Sequence, residues 1–375
     1  MTAIPTSTAR ITCLCGAISE PGSKLVQQTF PIKEELCHCN PCRQTTGALA
    51  PAFANFKVHP TQETLDKCDV YESSTKVRRS VPPDCTLFCK TCGTKVFVAI
   101  SNDQGQIDHY SALAGCIERN PQQVKEGDQW TKDVIEVMHH AFLSDTNDGG
   151  LAGHLLKVDG NTPKFYETDD ENAELSISVV EAMIAKSRAV PTPPIDAQLT
   201  AECRCGGVDL RILRADFAER DKDIKEHYSY PIDKYVAGLC ACRSCRLHFG
   251  TSLVPWAYIP VGNLNVASTG RKVVFGHAAL EPGSNPGTTL KHSETSKGVI
   301  RSWCGSCGAS VFFWSAERKG REEVVDISVG IIRAESGVMA REWLEWRDLL
   351  SYDHEGTDQA LVRQVKQSIE AEAKE

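Results

Sequence analysis

The chain has 375 residues, of which 41% are hydrophobic and 24% charged, and a formal net charge of −8. At roughly 150 residues per domain it has room for two or three domains, with enough apolar material for sizeable cores. Its acidity argues against broad binding to nucleic acid or anionic membrane, and no stretch approaches the ~18 consecutive apolar residues of a membrane span.

The first ten residues, MTAIPTSTAR, lack a basic segment followed by an apolar one. A secretory signal is therefore not expected, and the reading is a cytoplasmic chain with reduced thiols. That makes the 17 cysteines the informative feature. Along the chain, Cys13-Leu14-Cys15-Gly16 comes first, then Cys37-His38-Cys39-Asn40-Pro41-Cys42-Arg43, then Cys89-Lys90-Thr91-Cys92-Gly93. The segment 95–100 after the third motif alternates as a strand, and 107–113 reads as another. Pro82-Pro83 marks a loop. His139 and His140 precede Asn147-Asp148-Gly149-Gly150, a loop that either rims a pocket or is ordinary surface.

Residues 167–197 read as a connector. Asp169 and Asp170 are placed to cap a helix over roughly 171–188 with Leu175, Val179, Met183 and Ile184 along one side, stopped by Pro191, Pro193 and Pro194. The motif order then repeats: Cys203-Arg204-Cys205-Gly206, Cys240-Ala241-Cys242-Arg243-Ser244-Cys245-Arg246, and Cys304-Gly305-Ser306-Cys307-Gly308. Strands are expected over 310–314 and 323–329. Loops such as 281–287 are rich in proline and glycine. Trp343 and Trp346, three apart, are expected in one core, with one pocket as the alternative, and a closing helix over 358–373 has an apolar stripe of Leu361, Val362, Val365 and Ile369 that either docks on the body or frays. The expected organisation is a first zinc domain (1–166), a connector (167–197), a second zinc domain (198–357) and a helical tail (358–375), both domains mainly antiparallel β.

Seven thiols in each repeat fill one four-thiolate and one three-thiolate site. The short-range pairs Cys13/Cys15 and Cys89/Cys92 close a tetrahedron, as do Cys203/Cys205 and Cys304/Cys307, and these read as structural. Cys37, Cys39 and Cys42, and likewise Cys240, Cys242 and Cys245, leave one coordination position open, which marks a reactive site. Zinc is the expected ion, up to four per chain; iron–sulfur is the main alternative, and disulfides fit poorly with an odd number of thiols per repeat. Three thiolates on Zn²⁺ favour holding a soft thiol over activating water. Arg43 and Arg246 follow the triads, to offset charge, hold a substrate carboxylate, or simply form salt bridges. His38 points away from the metal in an extended C-x-C and reads either as a support behind the ligands or as packing. Cys68, Cys85 and Cys116, outside both repeats, read as small buried side chains.

These segments, among them CHCNPCRQTTGA at 37–48, FCKTCG at 88–93, CACRSCR at 240–246 and WCGSCG at 303–308, resemble the glutathione-dependent formaldehyde-activating enzyme / CENP-V domain family, in two tandem copies. The resemblance implies a mainly β fold of two tandem Mss4-like domains, small stacked antiparallel sheets with zinc knuckles. It implies a carbon–sulfur lyase reaction in which glutathione adds to formaldehyde at the three-cysteine zinc, with Cys37, Cys39 and Cys42 and then Cys240, Cys242 and Cys245 in that role. Ala241 departs from the C-H-C pattern, which favours the first copy for this chemistry. Two other functions stand beside it: a zinc enzyme of this scaffold acting on a non-thiol specialised metabolite, and a non-catalytic zinc-stabilised binding protein. The expected partners are a small thiol and an electrophile, with no membrane and no nucleic acid; the oligomeric state is left open.

Overall fold

The computed structural model describes residues 4–73, 85–120, 133–227, 230–231, 233–317 and 323–372. Pro82 and Pro83 lie outside them. The chain is mainly β, in several small and medium sheets. No helix among the described residues is long and apolar enough to cross a membrane.

In the first half, the strand Ala9–Thr12 runs into Cys13 and sits between Ser19–Pro21 and Ile117–Arg119. A five-stranded antiparallel sheet follows in the order Phe53–Asn55, Ile107–Leu113, Lys95–Ser101, Cys85–Cys89, Cys68–Glu72. In the second half, Gln198–Glu202 runs into Cys203 between Asp209–Leu213 and Ile332–Arg333. The seven-stranded sheet begins Leu290–Ser296, Val299–Cys304, Ser310–Ser315, Val324–Ser328, Val254–Pro260, and is extended by Tyr235–Cys240 and Leu344–Ser351.

The sheets are not wholly antiparallel. Ile135–Ala141 pairs in parallel with Ile32–Cys37, and Leu344–Ser351 does so with Tyr235–Cys240. Each parallel pair joins the strand that delivers a cysteine triad to a strand about a hundred residues later, the long connection that parallel pairing requires. Local alternation identifies such strands but carries no information on which distant strand they meet.

The two halves interlock. Most buried hydrophobic side chains, drawn from both halves between Ala9 and Ile369, form one large cluster, with two smaller clusters beside it. The amide of Gly115 donates to the Gly250 carbonyl and that of Gly330 to the Gly47 carbonyl, both at 3.0 Å. Gly93 and Gly308 each have positive φ, 71° and 74°. A Cβ on Gly93 would lie 2.3 Å from the Trp303 ring and one on Gly308 2.5 Å from Phe88. Each knuckle glycine thus satisfies a left-handed turn and also makes room for an aromatic ring of the other half.

The connector helix spans Ile177–Arg188, starting later than the acidic pair suggests. Glu174–Leu175 is instead drawn into a strand beside Phe165–Tyr166, and Asp170 Oδ1 accepts from the Asn172 amide in a turn before it. Only Val180 of its apolar residues is fully buried, against Leu143, Ala152 and Phe165. The last helix, Gln359–Glu372, docks firmly: Leu361, Val362, Val365 and Ile369 are all buried. Asp133 accepts from the amides of Gln359 and Ala360, and Asp358 from those of Val134 and Ile135. Trp343 is buried under Arg214, while Trp346 is half-buried and donates to the Met339 carbonyl at 2.7 Å.

Candidate functional site

All 17 cysteines are free thiols, and 14 of them gather into four clusters in which the sulfurs lie within 4.8 Å of one another: Cys13, Cys15, Cys89 and Cys92; Cys203, Cys205, Cys304 and Cys307; Cys37, Cys39 and Cys42; Cys240, Cys242 and Cys245. The division into fours and threes is the one the spacing implies. In the first four-thiol cluster Gly16 turns the chain with φ of 77°, and the Ile18 amide donates to Cys13 Sγ at 3.3 Å. The Leu14 amide donates to Thr94 Oγ1 at 3.1 Å, tying one knuckle to the other. In the second, the Val208 amide donates to Cys203 Sγ at 3.3 Å.

Each triad is built by a strand that runs into a short helix. Cys37 ends Ile32–Cys37, Cys39 caps the helix Asn40–Thr46, and Cys42 lies in its first turn. The Cys42 amide donates to Cys39 Sγ at 3.3 Å, so an otherwise orphaned helix N–H faces sulfur. The second triad repeats this with Cys242 capping Arg243–Phe249 and the Cys245 amide donating at 3.4 Å. Cys37 Sγ is 3.5 Å from Cys39 Sγ and 3.6 Å from Cys42 Sγ. Burial, then the neighbouring sulfurs of Cys37 and Cys42, push the Cys39 thiol well up. All-sulfur sets of four and three suit a thiophilic ion such as zinc, and each cluster can hold one.

The environments of the two triads differ. Cys42 is half-buried at the edge of a cavity of about 230 Å³. One wall is a row across all five strands of the first sheet. Register pairs Tyr71 with Thr86, Thr86 with Val98, Val98 with Ser111 and Ser111 with Asn55, and all five line the cavity. Directly paired residues share a face, so the shorter side chains of Thr86, Val98, Ser111 and Asn55 together leave open space beside Tyr71. Lys95 also lines the cavity; its Nζ donates to the Cys307 carbonyl at 2.6 Å, and burial pulls its ammonium down to about 8. His139 joins from the other side, paired with Glu35 at 3.1 Å. By contrast Cys240, Cys242 and Cys245 are all buried and pack in a cluster with Phe249, Val254 and Trp256.

Arg43 and Arg246 are not aimed at a ligand of the triads. Both are almost wholly buried. Arg43 Nη1 donates to the Gly330 carbonyl at 2.9 Å, and Arg246 Nη1 to the carbonyls of Gly115 and, at 3.2 Å, Ile117. Arg246 also pairs with Glu118 at 3.0 Å. Each arginine of one half therefore clamps backbone of the other, a use that needs a guanidinium's several donors and a partner distant in sequence. His38 turns away from the sulfurs, its Nε2 2.9 Å from His140 Nδ1, and His140 stacks on Phe165. Burial first, then His140, hold His38 well below its usual range, so it is neutral. The loop 147–150 does not line the cavity: Gly150 packs behind the triad, where a Cβ would lie 3.3 Å from His38 Nδ1. Cys68 and Cys116 are buried as expected, whereas Cys85 is only half-buried.

The cavity row and Arg301, which lies over the second triad, carried no sequence signal as site residues. Strand alternation marks one face of each strand, but only the register across five strands assembles the row. A family model described as glutathione-dependent formaldehyde-activating enzyme matches residues 8–133, about a third of the chain. No curated protein matches the chain. The matched stretch contains the first seven clustered cysteines and the whole five-residue row. Over residues 8–133 the chain is therefore similar to that family, and the match supports one module of it here.

Proposed function

We propose that the cavity over Cys37, Cys39 and Cys42 joins a small thiol, glutathione being the first candidate, to an aldehyde or related electrophile in a carbon–sulfur lyase reaction. The observation that carries this reading is Cys42, half-buried within a three-sulfur cluster and opening on a cavity of about 230 Å³. Cys37, Cys39 and Cys42 would hold a zinc ion, which would supply a soft Lewis-acid position favouring the thiolate form of an incoming thiol.

The balance of the reaction is simple. The thiol gives up its proton, sulfur bonds to the carbonyl carbon, the carbon–oxygen π pair moves to oxygen, and that oxygen takes a proton. The chain's own part is to orient the electrophile and to offer donors to the developing oxyanion. Tyr71 and Lys95 are the lining residues whose O–H and N–H could serve, and burial keeps the Tyr71 phenol above its usual range and so protonated. Val98, Ile100 and Phe53 keep part of the wall apolar and limit water.

We propose further that 198–357 is a second copy of the module in 1–166, joined by 167–197 and followed by the tail 358–375, so that two Mss4-like domains stand in tandem. The shared strand order, the repeated cysteine spacing and the reciprocal glycine and arginine contacts support it.

The test is protection. Metal-loaded protein is treated with iodoacetamide with and without saturating glutathione, and modified peptides are quantified by mass spectrometry. Glutathione is expected to slow modification of Cys42 by about tenfold or more. Unchanged modification at saturating thiol overturns the thiol reading.

A further inference from the structure

The row facing the first triad has a counterpart facing the second. Register pairs Ser293 with Arg301, Arg301 with Phe313, Phe313 with Asp326 and Asp326 with Tyr258. The strand order is the same as in the first sheet, so Arg301 stands where Thr86 stands, Phe313 where Val98 stands, and Tyr258 where Asn55 stands. At four of the five positions the side chain is larger than its counterpart, Ser293 in the place of Tyr71 being the exception, and these larger groups stand where the first half has a cavity over Cys42. Phe249 and Trp256 meet edge to face at 4.9 Å and complete the wall around the three sulfurs.

Arg301 is the unusual member. It is 2% exposed, its guanidinium carbon lies 4.7 Å from the Phe313 ring centre, and Nη2 is 3.0 Å from Ser244 Oγ and 3.7 Å from Cys245 Sγ. Its Nε and Nη1 are buried without a hydrogen-bond partner among the described residues. A fixed cation with donors in reserve, set against three sulfurs, matches a deprotonated triad better than a neutral one. Three thiolates and a divalent ion sum to one negative charge, and a buried net charge is costly unless paired. The guanidinium offsets the charge of the sulfurs beside it, and its bulk fills the approach.

We infer that the second triad is a sealed metal-holding site with Arg301 as its resident counter-charge, and that the row across the sheet decides which triad admits a ligand. The inference takes the first triad as the open site, as proposed above, but does not depend on which thiol enters it. The second half then stabilises the fold while the first carries the chemistry.

Two measurements test this, both on the full chain purified without added metal. Native mass spectrometry of Cys245→Ser is expected to lose one metal ion relative to the parent; an unchanged count overturns the metal site. Iodoacetamide modification without any added thiol is then followed at Cys42 and Cys245. Cys42 is expected to react about tenfold faster or more. Arg301→Thr is expected to bring Cys245 up towards the Cys42 rate. Thr86→Arg is expected to slow Cys42 and leave Cys245 unchanged, and this arm stands even where Arg301→Thr fails to fold. Equal rates in the parent, or a Cys42 rate unmoved by Thr86→Arg, overturn the gating. Because no thiol is added, a failed glutathione protection leaves this comparison readable.

Discussion

Replacing Glu118 with alanine tests whether the two halves are held together by a buried charge rather than by surface pairing. Glu118 is 8% exposed and receives Arg243 Nε at 2.6 Å, Arg243 Nη2 at 2.8 Å and Arg246 Nη2 at 3.0 Å, with Arg10 at 3.5 Å. Arg246 itself is 2% exposed and has no other carboxylate within ion-pair distance among the described residues. In Glu118→Ala it keeps its bonds to the Gly115 and Ile117 carbonyls but loses its counter-charge. An uncompensated buried charge costs about 3–5 kcal/mol. Arg243, with its side chain 53% exposed, is a contrast within the same cluster, and Arg243→Ala should cost about 0–1 kcal/mol. Arg246→Met removes the charge and the bonds to two carbonyls, at about 1–3 kcal/mol for each carbonyl then left buried without a partner. The double variant Glu118→Ala/Arg246→Met should be less destabilised than the sum of the singles by about 2 kcal/mol or more.

The assay is urea unfolding followed by tryptophan fluorescence at neutral pH. Burial alone would push the Glu118 carboxyl up, but the Arg243 hydrogen bond and the charges of Arg246, Arg243 and Arg10 outweigh it and hold it below the usual range. A depressed carboxyl stabilises the fold above its unfolded value and loses that contribution as pH falls through the folded value. The gap between parent and Glu118→Ala should therefore shrink below the ordinary glutamate value of about 4.3. A loss below ~1 kcal/mol, equal to that of Arg243→Ala and additive in the double variant, refutes the reasoning.

Two further outcomes are expected. Native mass spectrometry of the chain purified without added metal should give four metal ions, one for each cysteine cluster; two ions released only on unfolding would mean that the triads hold none. Asp148 is buried, which pushes its carboxyl up to about 6 from 3.8, although it accepts from the amides of Met339 and Gly150. Folding therefore favours the protonated form, and this contribution, up to about 3 kcal/mol, is present below pH 4 and lost as pH rises through 6. In urea titrations at pH 4.5 and pH 7, Asp148→Asn should lack this slope, and parallel profiles for the two proteins would sink the assignment.

Much of the cysteine grouping is legible because it is local. C-x-C-G and C-x-x-C-G are knuckles whose geometry is set within a few residues, by positive-φ glycines and by amides facing sulfur. The C-x-C-x-x-C triad is a helix cap in which the residue count alone brings three sulfurs to one spot. The strands at Lys95–Ser101, Ile107–Leu113 and Ser310–Ser315 and the final helix are read correctly for the same reason, since alternation and the helical stripe are short-range patterns. The connector helix is misjudged at its start, where pairing of Glu174–Leu175 with a strand outweighs a nearby acidic cap.

What the tertiary structure alone decided is where each half's side chains are used. Arg43 and Arg246 look like charge partners for the triads in the sequence, yet their donors go to carbonyls some 130 to 290 residues away. The difference between an open Cys42 and a buried Cys245 has no signature in the motifs, which are nearly identical. It comes from residues on separate strands that only sheet register aligns, Thr86 and Val98 over one triad, Arg301 and Phe313 over the other. Spacing along a chain determines which sulfurs can share an ion; volume and charge contributed by distant strands determine what can reach it.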